Sequence, residues 1–331
     1  MLGLCSHEYF HAWNVKRIKP AAFTPYDLDN ENYTTLLWAF EGITSYYDDL
    51  FLVRSGLIPR DVYLESLAKS ITSVLRGSGR KKQTVSESSF DAWIKYYRQD
   101  ENAPNAVVSY YVKGSLVALC LDLLIRQQTG GRKSLDHVMR ALWKRHGLKV
   151  TGVEEYDIER LAEEVSGLKL HRFFDQALRG TGDLPLEKFL AGIGIDMEIR
   201  RAESSADKGG KPASKPEKAL AHRVDFGIRT TDNCGDLKIT HVLDGGAAQK
   251  AGLAAGDTIV AVDELRVTPK NFEGRLASYR PGETMQVHAF RRDELLVLNV
   301  TLAAPPADTC VLSVNDDRSA ATLRRRWLGK A

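Results

Sequence analysis

Between about residues 34 and 194 apolar side chains recur every three or four positions, the period of helices that bury one face. The pattern predicts helices near 61 to 76, 107 to 128, 134 to 146, 156 to 166, 170 to 179 and 185 to 192. Gly130-Gly131, Gly147, Gly167 and Gly180 punctuate their ends, and Ser134 is placed to cap one start. Residues 77 to 90, rich in Gly, Ser and Lys, interrupt the period and read as a surface loop. Beyond a polar stretch at 204 to 218 the period shifts toward two. Val224, Phe226 and Ile228 alternate first, then Leu237, Ile239 and Val242, then Ile259, Val260 and Val262. Met285, Val287 and Ala289 follow, and Leu296, Leu298 and Val300 close the series. Short alternating runs between turn signals predict a small β-rich module. The expectation is a multidomain α+β chain: a mainly helical unit over 1–203, a mobile linker over 204–218, a β domain over 219–304, and a C-terminal tail with a short helix over 305–331.

Composition narrows the classes. The 331 residues suit about two domains, and the net charge of +3, from 46 basic and 43 acidic residues, gives no footprint for nucleic acid or an anionic membrane. No stretch approaches the ~20 consecutive apolar residues of a membrane span. Arg324-Arg325-Arg326 beside Trp327 reads as the exposed face of a terminal helix. Cys5, Cys120, Cys234 and Cys310 are scattered without metal-type spacing. They read as free thiols, which favours a reducing, cytoplasmic setting.

The chemistry concentrates at residues 7 to 11, His-Glu-Tyr-Phe-His. Positions i and i+4 share a helix face, so His7 and His11 can reach one cation, while Glu8 stands beside it as a base for water. Zinc needs a third protein ligand. Glu41 is the leading candidate because it is the lone carboxylate in an apolar, aromatic run from Leu36 to Tyr47, where an unpaired charge would be costly. Asp27, Asp29 and Glu31 compete from a polar loop that faces water. His137, His146 and His171 read as surface or capping residues, and His222, His241 and His288 carry no metal spacing.

Two blocks, His7 to Pro20 and Trp38 to Tyr47, together resemble the glycyl aminopeptidases, PDZ-containing zinc peptidases within the thermolysin-like gluzincins. The resemblance implies a single Zn²⁺ held by His7, His11 and Glu41, with Glu8 as general base. Ser109-Tyr110-Tyr111-Val112-Lys113-Gly114 is similar to the Tyr-x-Lys-Gly element of related aminopeptidases, which makes Tyr111 the donor to the oxyanion, with Tyr110 as the alternative. Gly246 to Asp263, with its Gly-Leu-x-x-Gly-Asp turn, resembles a protease-associated PDZ domain. Phe226, Gly227 and Ile228 would then form a loop receiving a peptide C-terminus, and a helix near 271 to 279 would be the opposite wall. Resembled enzymes carry a β domain upstream of the motif, so the chain is expected to be the C-terminal part of such an enzyme. The leading expectation is an aminopeptidase releasing N-terminal Gly or Ala from peptide or protein substrates. A PDZ interaction module without catalysis and an endopeptidase are the alternatives.

Overall fold

The computed structural model describes residues 1–329. The helical unit runs α1 (Leu2–Phe10), α2 (Ile43–Arg54), α3 (Arg60–Arg76), α4 (Val85–Phe90), α5 (Ala103–Ala106), α6 (Val112–Gln128), α7 (Leu135–Leu142), α8 (Asp157–Ser166), α9 (His171–Phe174) and α10 (Leu186–Ala191). α6 is its axis. From Leu116 to Leu123 every side chain is buried, because neighbours cover this helix on all faces. A polar network crosses the same core: Asp122, fully buried, accepts from Arg126 at 2.9 Å, from the Tyr46 hydroxyl at 2.6 Å and from the Leu135 N–H at 2.7 Å. Asp136 accepts from Arg54 at 3.0 Å and from Tyr47 at 2.7 Å. These bonds fix α2 against α6 and α7 with each buried carboxylate satisfied, the condition under which buried charge is tolerated.

The β domain contains β2 (Ile228–Asn233), β3 (Asp236–Val242), β4 (Thr258–Val262), β5 (Leu265–Arg266), β6 (Thr284–Arg291) and β7 (Glu294–Thr301), following the short α11 (Glu217–Ala221). α12 (Ala247–Ala251) and α13 (Phe272–Leu276) complete it. The sheet order is β2-β3-β4-β6-β7, all antiparallel, with β5 on β4. Its buried face is made of residues predicted by alternation: Leu237, Ile239, Ile259, Val262, Met285, Val287, Ala289 and Val300.

Three expectations require correction. The segment after 305 is no tail: β8 (Ala307–Val314) pairs antiparallel with β1 (Ile195–Arg201), from Ile195 opposite Val314 to Arg201 opposite Ala307. α14 (Ala321–Leu328) then returns to the helical core. There Trp327 is fully buried and donates to the Tyr46 hydroxyl at 2.8 Å. The helical unit is therefore discontinuous in sequence, with the β domain inserted between its two strands. The expected linker is partly packed down, since Asp207 pairs with Arg200 at 2.7 Å and Gly210 N–H donates to Cys310 O at 2.9 Å. Residues 77 to 90 also carry structure: Ser78–Lys81 form a 3-10 turn, and α4 starts with a capping box between Thr84 and Glu87.

Two local readings change as well. Ser134 starts α7 but bonds the His137 ring at 3.0 Å rather than capping the backbone. His146 is buried, with Nδ1 3.0 Å from Gly152 O, rather than at the surface. No helix among the described residues is long and apolar enough to cross a membrane.

Candidate active site

α1 presents His7 and His11 on one face, and both rings lean toward the start of α2. Glu41 comes from a π-helical turn, Trp38–Gly42, directly before α2. Such wide turns recur at functional sites because they swing one side chain out of the regular helical register and free backbone carbonyls. Asn14 takes up those carbonyls. Its buried amide donates to Ala39 O at 3.0 Å, Phe40 O at 3.3 Å and Thr44 Oγ1 at 3.1 Å. One residue thus ties the end of the histidine helix to the turn that carries Glu41.

Three atoms converge. His7 Nε2 and His11 Nε2 are 3.1 Å apart, and Glu41 Oε2 lies 3.4 Å from the first and 3.2 Å from the second. The opposite ring nitrogens are engaged from behind: His11 Nδ1 lies 2.8 Å from Asn14 O, and His7 Nδ1 lies 3.3 Å from Asp48 Oδ2. Nδ1–H donation of this kind leaves the Nε2 lone pairs facing inward, as metal-ligating histidines require. Glu41 Oε2 is buried with no hydrogen bond of acceptable geometry despite its proximity to both rings. Inward lone pairs around a buried carboxylate oxygen repel one another unless a proton or a cation sits between them.

The spacing suits a cation. Bonds of ~2.0–2.1 Å at tetrahedral angles would leave donor atoms ~3.3 Å apart, close to the three separations present. His7, His11 and Glu41 are the one group of potential metal donors of this kind among the described residues. Without a cation, protons do the work. The Asp48 hydrogen bond, then the neighbouring Glu41 carboxylate, raises His7 to about 9. Burial works against charge on His11, but Glu41 and the Asn14 carbonyl outweigh it and raise that ring too. Burial would push the Glu41 carboxyl up, yet the two imidazoles hold it below the usual range.

These groups line an open cavity of about 640 Å³ together with Glu8, Tyr111, Leu4, Val15 and Lys16. Glu8 is exposed on the cavity side of α1, bracketed by the two histidines in sequence. Val15 adopts φ +126, a conformation a β-branched residue rarely takes, at the turn that follows Asn14. Tyr111 reaches the cavity from the start of α6, its ring centroid 6.4 Å from that of His7. Tyr110, the alternative, points into the core with 1% exposure. The Tyr111 hydroxyl lies 2.9 Å from that of Tyr97, and burial together with nearby Glu41 raises its pKa.

Two glycines explain how α6 comes so close. A Cβ on Gly42 would sit 2.7 Å from Gly114 Cα, and one on Gly114 would sit 3.2 Å from Gly42 Cα. The glycines after Glu41 and after Tyr111-Val112-Lys113 are therefore the contact point of two backbones. Lys113 itself is buried behind this contact, its ammonium 3.4 Å from Arg80 O and 3.5 Å from Gly182 O. Asp27, Asp29 and Glu31 stay in an exposed loop, where Asp27 accepts the Asp29 N–H at 3.0 Å.

Residues 1–117 match the family model described as M61 glycyl aminopeptidase, and residues 224–302 match that of the PDZ domain. The N-terminal part of this chain is thus similar to glycyl aminopeptidases. Among solved structures, an aminopeptidase N family protein from Idiomarina loihiensis is 40% identical, with a TM-score of 0.91 over 99% of this chain and 55% of that one. This chain thus spans about half the length of that relative. The PDZ region also resembles probable periplasmic serine endoprotease DegP-like proteins of Brucella suis and Brucella abortus. Each is 39% identical over 66 residues, 20% of this chain and 13% of the relative.

Asp48, Asn14 and Tyr97 were not picked out by motif reasoning. Asp48 follows Glu41 by seven residues, two turns along one helix, and that spacing was the available signal. Tyr97 had none. It meets Tyr111 only through the fold.

In the β domain, Phe226 packs in the core against Phe272, centroids 5.4 Å apart. Gly227 is buried, and Ile228 is half-buried at the start of β2. α13 (Phe272–Leu276) falls within the segment 271 to 279 that was expected to be helical, and is shorter than it.

Proposed function

We propose that this chain carries the metal centre of a zinc-dependent peptidase, an aminopeptidase that releases N-terminal Gly or Ala. The convergence of His7 Nε2, His11 Nε2 and Glu41 Oε2 within 3.4 Å carries the reading. His7, His11 and Glu41 would hold the ion, with Asp48 and the Asn14 carbonyl orienting the two imidazoles. Zinc bound there would lower the pKa of a water to ~7 and polarise a peptide carbonyl.

Glu8, exposed on the cavity wall, takes the proton from the attacking water and passes it to the departing amine. Tyr111, kept protonated by its raised pKa, donates a hydrogen bond to the carbonyl oxygen as negative charge develops on it. The match of residues 1–117 to the glycyl aminopeptidase model supports a peptide substrate and a preference for small N-terminal residues. The test is hydrolysis of Gly- and Ala-anilides. Turnover abolished by Glu8→Gln with metal content unchanged is the expected outcome; N-terminally blocked peptides cut equally well would refute an aminopeptidase.

A further inference from the structure

A PDZ loop usually holds the terminal carboxylate of its peptide through backbone N–H groups, while the peptide adds a strand to the neighbouring sheet edge. In this chain the loop opens with an acid. Asp225 Oδ1 accepts the Gly227 N–H at 3.2 Å, so a donor of the loop is already engaged by a carboxylate of the chain itself. The loop is fixed around that bond. Asp225 N–H donates to Ala303 O at 2.8 Å, while Phe226 O and Gly227 O accept from Ala248 at 2.9 Å and Leu243 at 2.8 Å. Gly227 has φ +76, and a Cβ there would lie 2.8 Å from Gly246 Cα. The loop backbone therefore has little room to re-form around another anion.

Neighbouring cations do not offset the acid at close range. Arg76 is spent on Asp308 at 3.1 Å and Asp207 O at 2.7 Å, and Arg223 on Ala202 O at 2.6 Å. A peptide C-terminus seated here would place a second carboxylate beside Asp225, and like charges in a half-buried site repel strongly. The strand-adding surface is intact. β2 is the terminal strand of its sheet, and its residues Arg229 to Asn233 are all exposed. Backbone pairing along that edge needs no terminal charge.

We propose that the PDZ groove receives an internal, extended peptide segment by strand addition to β2 and excludes free C-termini through Asp225. This replaces the C-terminal partner expected from the resemblance, and it stands independently of the catalytic reading. An internal segment suits a protein that meets unfolded or looped polypeptide rather than finished tails.

The test is selection on the full chain from two phage libraries, one displaying random decapeptides with free C-termini and one displaying them internally. Enrichment from the internal library alone is expected. A selected sequence, synthesised with three residues following it, should bind at least tenfold more tightly than the same sequence ending in a free carboxylate. Asp225→Asn, with an unchanged melting profile, should narrow that ratio and admit C-terminal ligands. Enrichment of C-terminal ligands by the unaltered chain, or of none from either library, overturns the proposal.

Discussion

The tyrosine at the start of α6 acts with a hydroxyl neighbour. Because the Tyr111 and Tyr97 hydroxyls are 2.9 Å apart, Tyr97 positions the phenol that faces the cavity. Removing the proposed donor, by Tyr111→Phe, should lower kcat about 10²–10³-fold with KM little changed. Tyr97→Phe should lower kcat by less, about 10-fold. The double variant should match Tyr111→Phe alone, since Tyr97 works through Tyr111. Steady-state kinetics on a Gly-anilide checks all three, and an additive double variant would show that Tyr97 acts by another route. At this scale the sequence made the three converging side chains legible because their spacing is chemical: an i, i+4 histidine pair and one carboxylate stranded among apolar neighbours. It did not disclose Asn14, Asp48 or Tyr97. Their roles consist of hydrogen bonds across elements, which leave no periodic trace.

Elements bring those residues together through one narrow contact. Gly42 and Gly114 let the turn that carries Glu41 touch the helix that carries Tyr111, and a side chain at 42 would meet backbone atoms that cannot swing away. Gly42→Ala is expected to destabilise the chain by about 1–3 kcal/mol and to weaken metal retention, read by thermal melting and by metal content after dialysis. Unchanged values for both would mean that the two backbones are not in contact. The helices themselves were readable in advance. α3 and α8 fall within one residue of the periodic segments, whereas α6 starts at Val112, because residues 107 to 109 are not helical and the Val108 N–H is taken by the Gln83 side chain. The π-helical turn had no signature, since its apolar spacing over so few residues is indistinguishable from that of an α-helix.

The whole molecule is closed by its last strand and helix. β8 and α14 return to the helical core across the inserted PDZ domain, so alternation and linker composition located the insert but not the return. An eight-residue strand such as β8, buried at four consecutive positions from Thr309 to Leu312, lacks the alternation that would mark it as part of a closing sheet. The PDZ domain is also bonded to the helical unit. Asp244 accepts from Ser78 Oγ at 2.9 Å and pairs with Lys82, while its N–H donates to Asn105 Oδ1 at 2.9 Å.

The junction has a pH signature in Arg200–Asp207. Burial would push the Asp207 carboxyl up, but Arg200 and the N–H groups of Glu203 and Gly209 outweigh it and hold the group at about 2. A folded pKa below the unfolded value of ~3.9 gives stability that is fully present above that value and is lost as pH falls toward 2. Asp207→Asn should therefore cost about 1–2 kcal/mol near neutrality, and the difference from the unaltered chain should shrink between roughly pH 4 and 2. Melting curves across that window check it; a difference independent of pH would contradict the assignment.

The proposed cation site lies where three side chains from two elements meet. Its most direct measurement is zinc content by elemental analysis after reconstitution and dialysis, for the unaltered chain, Glu8→Gln and Glu41→Ala, each shown to be folded by circular dichroism. The prediction is one zinc per chain in the first two and loss of the metal in Glu41→Ala. Full retention by Glu41→Ala, or no zinc in the unaltered chain, would contradict it.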